Sequence, residues 1–400
     1  MSFHWRLRPT NPAAVDTLDV AIEPNFDFGS REYELLQARS RTTAFQAARW
    51  LDILHRKVAP ALATETFTVI VRDKISGRPV LVVPLVRRRR RGITLLEFAD
   101  FGVCDYLAAV YDAEDRARLE TEVTLPARVA ALLPRSDVVS LTKLTGNDPV
   151  LARLFPNGRR APMRVSSYAV RIDATWEEWR AGKLNPSLRH ELDVKRRRLA
   201  KTGRPTFTLV RGENEIVRAF DALRAFRAHR FEKRRTSDVI DNEVVFSFYR
   251  QIAIDGMSTG TARTYALYLS GEPVAVMFGL VHRRVFSLLL VGFDLARYRR
   301  LSVGLLAIED TLRASFEGGD EVYDFTIGDY SFKLQFGARP APLYEWHVPR
   351  TVRGRLAILC IEILREAKRI LKPLVLDAQR SLLVATVLRQ LNRCRNLFAS

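Results

Sequence analysis

The sequence predicts an α/β (α+β) chain of two similar halves, each a mixed, mostly antiparallel sheet flanked by helices, followed by a C-terminal helical tail. Three observations carry this. At 400 residues and 47% hydrophobic content, the chain can bury two ordinary cores. Hydrophobic periodicity runs through a similar order twice, with a Ser-Gly hairpin turn at Ser76-Gly77 and again at Ser270-Gly271. Between the two runs the patterning breaks over residues 157–165, where Pro156, Gly158, Pro162 and a basic cluster fall together. The expected domains are therefore 1–160 and 161–350, with the tail at 351–400.

In the first half the periodicity marks a helix over residues 43–55, strands over 66–72, 79–87 and 93–99, a helix over 115–133 and a strand over 137–141. The second half opens with Asn185-Pro186-Ser187-Leu188-Arg189 and gives helices over 185–202, 213–234 and 243–256. Strands over 261–269, 272–281 and 285–291 follow. Then come Gly292-Phe293-Asp294, a basic turn over 298–304, an amphipathic helix over 305–316 and a short strand over 322–325.

The formal charge is +19, and only ten of the 64 basic residues are lysine. Such a balance favours polyanions, whether nucleic acid, anionic lipid surfaces, acidic polysaccharides or nucleotide cofactors, without choosing among them. Cys104, Cys360 and Cys394 lie at wide, unpatterned spacing, so neither a metal site nor a disulfide framework is expected. Residues 1–6 have no apolar signal core, and no stretch approaches the roughly 20 apolar residues of a membrane span. A cytoplasmic location is expected, at most peripheral to the inner face of the membrane. Nothing resembles a Ser/His/Asp triad, a Walker loop or a zinc cluster.

Residues 290–337 hold the densest chemistry. A helix whose first turn carries small residues and glycine leaves backbone N–H groups unpaired, and the helix dipole adds positive charge there. The turn Arg299-Arg300-Leu301-Ser302-Val303-Gly304-Leu305 therefore suits a pyrophosphate, with Arg299 and Arg300 supplying charge-assisted hydrogen bonds. A plain surface turn before an ordinary helix carries the same signature.

Three motifs in this region resemble one family. They are Phe293-Asp294 after a strand, Ser302-Val303-Gly304-Leu305-Leu306 opening a helix, and Asp324-Phe325-Thr326-Ile327-Gly328-Asp329-Tyr330-Ser331-Phe332-Lys333 followed by Phe336-Gly337. In that order they are similar to the CelD/BcsL-type acyltransferases, a branch of the GNAT superfamily associated with bacterial cellulose and exopolysaccharide biosynthesis. That branch is related to the tandem-GNAT FemAB/FemX transferases. Phe45-Gln46 with Trp50, Asp105-Tyr106 and Arg230-Phe231 extend the resemblance to about residues 40–350. Two departures stand out: Tyr330 replaces the usual Glu, and Phe332 replaces the usual Tyr before Lys333. The resemblance implies two GNAT-like domains and acetyl-CoA or another acyl-CoA as co-substrate, held by residues 299–305. It also implies acceptor contacts from Arg189, Arg230, Asp324 and Lys333.

Acyl transfer from a thioester needs a positioned carbonyl, N–H donors for the oxyanion and a group that takes the acceptor's proton. Asp294, at the end of a strand, either takes that proton or caps the turn after it. Asp329 and Lys333, four residues apart, either form a local ion pair or divide proton acceptance and carbonyl polarisation between them. Tyr330 is the hydroxyl available to the leaving thiolate once Phe332 has replaced the family tyrosine. The expected acceptor is an amine or hydroxyl of a sugar or envelope precursor.

Two other readings stay open. One is an aminoacyl-tRNA-dependent transferase of the FemAB/FemX kind; the other is a degenerate, non-enzymatic scaffold that binds polysaccharide or membrane. The tail reads as basic amphipathic helices broken at Pro373, where ten lysines and arginines against three acids leave +7. It either packs on the body or lies on an anionic membrane surface.

Overall fold

The computed structural model describes residues 17–234 and 238–377. In its first half, runs rich in β-branched and leucine residues form β1 (Leu18–Glu23), β2 (Thr66–Asp73), β3 (Pro79–Arg90), β4 (Ile93–Phe98), β5 (Val110–Tyr111) and β6 (Val138–Leu144). The second half contributes β7 (Arg159–Arg171), β8 (Pro205–Leu209), β9 (Ala262–Leu269), β10 (Glu272–His282), β11 (Val285–Phe293), β12 (Val322–Ile327) and β13 (Arg339–Pro349). The first-half helices are α1 (Arg31–Arg39), α2 (Ala48–Ile53), α3 (Ala59–Ala61), α4 (Arg116–Thr121), α5 (Leu125–Leu132) and α6 (Pro149–Leu154). Those of the second half are α7 (Trp176–Gly182), α8 (Pro186–Thr202), α9 (Glu213–Arg234), α10 (Glu243–Thr259), α11 (Leu295–Tyr298), α12 (Val303–Glu317) and α13 (Ser331–Gln335). The last helix is α14 (Val352–Asp377).

The fold is mixed α/β with a large, mostly antiparallel sheet flanked by helices. The strands make one continuous sheet in the order β1-β2-β3-β4-β6-β13-β7-β12-β11-β10-β9-β8, with β5 added to β3. Two neighbouring pairs are parallel, β4 with β6 and β11 with β12, and they occupy equivalent places in their halves. The halves interlock, because β13, last in sequence, pairs with β6 of the first half as well as with β7.

Several expectations need correcting. Residues 157–165, read as an interruption, include the start of the 13-residue strand β7 at the seam of the sheet. The expected helix over 115–133 is two helices, α4 and α5, because Pro126 near the start of α5 has no N–H for a continuing helix. The helix over 43–55 begins as a 3-10 turn closed by a Thr43/Gln46 capping box, and it continues past residue 55 through a π turn at Leu54–Val58. β1, α1, β8 and β13 were not anticipated.

Two hydrophobic cores lie against the sheet. One gathers Trp50, Val69, Leu81 and Phe98 with Phe220, Phe246 and Phe278 from the second half. The other gathers Trp179, Leu192, Phe286, Leu306, Tyr323 and Phe336. α14 adds Ile358 to a small cluster with Leu95 and Val138. Among the described residues no helix is long and apolar enough to cross a membrane.

Candidate active site in the cleft between two diverging strands

β11 and β12 pair only from Val285↔Val322 to Ser287↔Asp324 and then diverge. A bulge accompanies the divergence: Gly279 of β10 faces Leu288 and Phe278 faces Leu290, so Leu289 is an extra residue. The extra residue bends β11, and side chains take up backbone carbonyls beside it: the Thr326 hydroxyl donates to Leu288 at 3.2 Å and Arg227 to Val291 at 3.2 Å. Glycine is needed at 279, since a Cβ there would come 2.5 Å from the Ser287 carbonyl oxygen.

A cavity of about 720 Å³ opens between the strands. Leu288, Val291, Phe293, Phe325 and Phe332 make much of its wall. At one end lies the start of α12. Ser302 begins that helix in the left-handed region, at φ 52 and ψ 38, with no side-chain cap. Its carbonyl accepts the N–H groups of Leu305 at 2.9 Å and Leu306 at 3.2 Å. The N–H groups of Val303 and Gly304 remain, at the cavity wall and beside Arg299, which has no carboxylate partner among the described residues.

Elsewhere in the cleft, both halves contribute. Lys333 is buried and donates to the carbonyls of Thr326 at 3.1 Å and Ile327 at 3.0 Å. Burial pulls its ammonium down to about 8, against the attraction of Asp105, Asp324 and Asp329. Asp324 accepts from the Thr326 N–H at 2.8 Å and from the Tyr106 hydroxyl at 2.9 Å. Burial lifts the Asp324 carboxyl to about 6. Asp105, from the first half, lines the cavity, and burial raises its carboxyl too, opposed by the Thr326 hydroxyl and by Lys143 and Lys333.

The equivalent divergence of β4 from β6 holds a tie instead. Lys143, with φ 58, donates to Asp100 Oδ2 at 2.7 Å and to the Cys104 carbonyl at 2.8 Å, drawing the loop after β4 across. That same loop carries Asp105 and Tyr106 to the cleft of the second half.

Of the residues singled out in sequence, Arg230, Arg299, Ser302, Val303, Gly304, Leu305, Tyr330 and Lys333 line the cavity. The others go elsewhere. Asp294 caps α11 through the Arg297 N–H and is held by the Arg297 guanidinium. Asp329 accepts from Ser166 N and the Tyr168 hydroxyl across the sheet, so the local ion pair with Lys333 does not form. Asp324 spends its oxygens on protein partners, and Arg189 donates to the Ala181 carbonyl at the end of α7. Leu301 packs into the second core, and the Arg300 carbonyl accepts from Lys195 at 2.6 Å. Gly304 is required by packing: a Cβ would meet the Phe293 ring at 2.8 Å.

Sequence reasoning missed Asp105, Thr326 and Arg227 as parts of the cavity wall. The Asp105-Tyr106 pair was the available signal. Arg227 sits one turn before Arg230 on α9 and makes a bidentate pair with Asp238, both contacts at 2.6 Å.

Parallel strands that splay beside an uncapped helix start coincide with a family assignment. Residues 186–334 match the family model described as acetyltransferase (GNAT) domain. Over this segment the chain is similar to GNAT acetyltransferase domains. No curated protein matches the sequence. Among solved structures, FemX superposes with a TM-score of 0.55 at 10% identity, over 82% of this chain and 97% of that one. L-PGS from Bacillus licheniformis superposes with a TM-score of 0.51 at 13% identity, over 87% of this chain and 98% of that one. At such identities the likeness is one of fold. Among the described residues no cluster of ligands suited to a metal occurs.

Proposed function

We propose that this GNAT domain transfers an acyl group from an acyl-CoA thioester to an amine or hydroxyl of a sugar or envelope-glycan precursor, as the CelD/BcsL resemblance implies. The observation that carries the reading is the cleft itself, whose wall joins the uncapped N–H groups of Val303 and Gly304, with Arg299, to Asp105 and Lys333. The helix start suits a pyrophosphate, and the apolar wall suits an uncharged pantetheine arm. Acyl-CoA would supply the activated acyl carbon.

The chain's own groups supply the rest. Asp105, with its raised carboxyl, is the base that faces the cavity and takes the acceptor's proton as the new bond forms. Lys333 holds the Thr326–Ile327 backbone through two carbonyls and places a positive charge beside that base. Tyr330, half exposed at the rim, has the hydroxyl that can return a proton to the departing sulfur. Arg230 lies over the Phe293 ring that packs on Gly304, so its cation, suited to phosphate, sits near the α12 start and not beside Asp105.

Calorimetric titration with acetyl-CoA and longer acyl-CoAs tests the reading: saturable binding is expected, and folded protein that binds none of them overturns it. A second reading, aminoacyl transfer from tRNA, draws on the net charge of +19 and on the basic face of α8, whose Lys195 touches the Arg300 turn. It requires tRNA binding that weakens steeply with salt. Acyl-CoA binding without tRNA binding leaves the first reading standing alone.

A further inference from the structure

The outer face of α14 is an apolar ridge. Val352, Leu356, Leu359 and Ile363 are 72, 57, 50 and 58% exposed. Steps of four, three and four residues put them on one side of the helix. The opposite side makes the attachment: Gly354 lies against the Asp137 carbonyl, Ile358 joins Leu95 and Val138, and Arg365 reaches Glu345. Because the helix is already anchored by that side, the ridge is not needed to hold it on the body.

Cations border the ridge. Arg353 donates to the Gly92 carbonyl at 2.6 Å, which sets the start of α14 against the β3–β4 hairpin. That hairpin carries five consecutive arginines, 87–91. Arg87 pairs with Glu65, Arg90 with Glu97, and Arg88 covers the Phe101 ring. Arg89, Arg91 and Arg355 are exposed and make no close ion pair among the described residues, although Arg89 lies near enough to Asp137 to attract its carboxylate.

We propose that this surface docks on an anionic lipid bilayer, with α14 lying in the headgroup plane, its ridge inserted and Arg89, Arg91 and Arg355 on lipid phosphates. A nucleic acid offers phosphates but nothing for the ridge. A second copy of the chain offers an apolar partner but brings another +19 of charge against the same arginines. An anionic bilayer satisfies both features at once.

The test is sedimentation of the full chain with vesicles of phosphatidylglycerol and, separately, of phosphatidylcholine. Binding to the first and not the second is expected, weakening as salt rises. The exposed pair Leu356→Asp with Leu359→Asp, and separately Arg89→Ala with Arg91→Ala, should each weaken binding on the order of tenfold at an unchanged melting temperature. Four outcomes overturn the proposal: no binding to phosphatidylglycerol, equal binding to both lipids, binding that survives both double substitutions, or a dimer in solution that the leucine substitutions dissolve. Acyl-CoA titration is a separate readout, so failure here leaves the acyl-transfer reading intact.

Discussion

Thr326 is a buried β-branched residue at φ 58, a region such side chains seldom enter, and two charged groups hold it there. Asp324 takes its N–H and Lys333 takes its carbonyl. The same burial that makes this clamp rigid penalises both charges. Between about pH 8 and the ordinary lysine value of 10.5, the folded Lys333 has lost its proton while the unfolded one keeps it. The unfolded chain then binds more protons, so this residue makes stability rise with pH across that window. Asp324 works the other way. Between 3.8 and about 6 the folded carboxyl keeps a proton that the unfolded one has lost, so its contribution falls as pH rises. Urea unfolding of Lys333→Met at pH 8 and pH 10 should therefore lack the part of the rise that wild type shows. An identical pH dependence in the two proteins would mean Lys333 is not desolvated as the structure has it. Turnover should fall in Lys333→Met by more than acyl-CoA affinity does, because Lys333 holds the Thr326–Ile327 backbone and its charge acts on Asp105.

At the scale of elements, the start of α12 and the bulge in β11 define the cleft, and they respond differently to substitution. Gly304 fits under the Phe293 ring, so Gly304→Ala pushes that ring into the cavity and should lower melting temperature and acyl-CoA affinity together. Arg299 is exposed and makes no ion pair among the described residues, so Arg299→Glu is the cleaner probe of the anion site. It should cost acyl-CoA at least about tenfold in affinity, about 1.4 kcal/mol, with the melting temperature unchanged. Normal affinity in Arg299→Glu would remove the pyrophosphate from this helix end.

The α12 turn was legible in sequence because a small-residue helix start after a basic turn is a local pattern. β7 and β13 were not, because their prolines read as punctuation. Pro162 of β7 lies where that strand has β13 on one side and no β12 pairing on the other. Pro340 and Pro342 of β13 lie where it pairs with β7 but not with β6. A proline without an N–H is tolerated on such a half-free edge, and only the tertiary pairing reveals the edge. Asp105 was hidden for a related reason: it reaches the cleft across the two halves, and spacing along the chain carries no trace of that approach.

At the scale of the whole molecule, the pairing of β13 with β6 makes each half depend on the other. The β13 residues Tyr344 and 346–349 pair with β6, and the Trp346 indole donates to the Phe155 carbonyl at 3.1 Å. The Tyr249 hydroxyl donates to the Val103 carbonyl, Arg49 binds Asp255 at 2.6 Å, and Tyr106 reaches Asp324. A fragment of residues 161–350 would expose the β6-facing edge of β13 and leave the buried Asp324 carboxyl without its Tyr106 donor. Unpaired hydrophobic strand edges associate, and an unpartnered buried carboxylate costs stability on top of the lost contacts. The fragment should therefore be insoluble or lack near-ultraviolet dichroism when made alone, while coexpression with residues 1–157 should recover soluble complex that melts in one transition. The full chain should likewise melt once, with calorimetric and van't Hoff enthalpies in agreement. Two separate melting steps, or a 161–350 fragment that folds by itself and binds acyl-CoA with full affinity, would show that the seam through β7 and β13 joins two independent bodies and that Asp105 and Tyr106 are dispensable to the site.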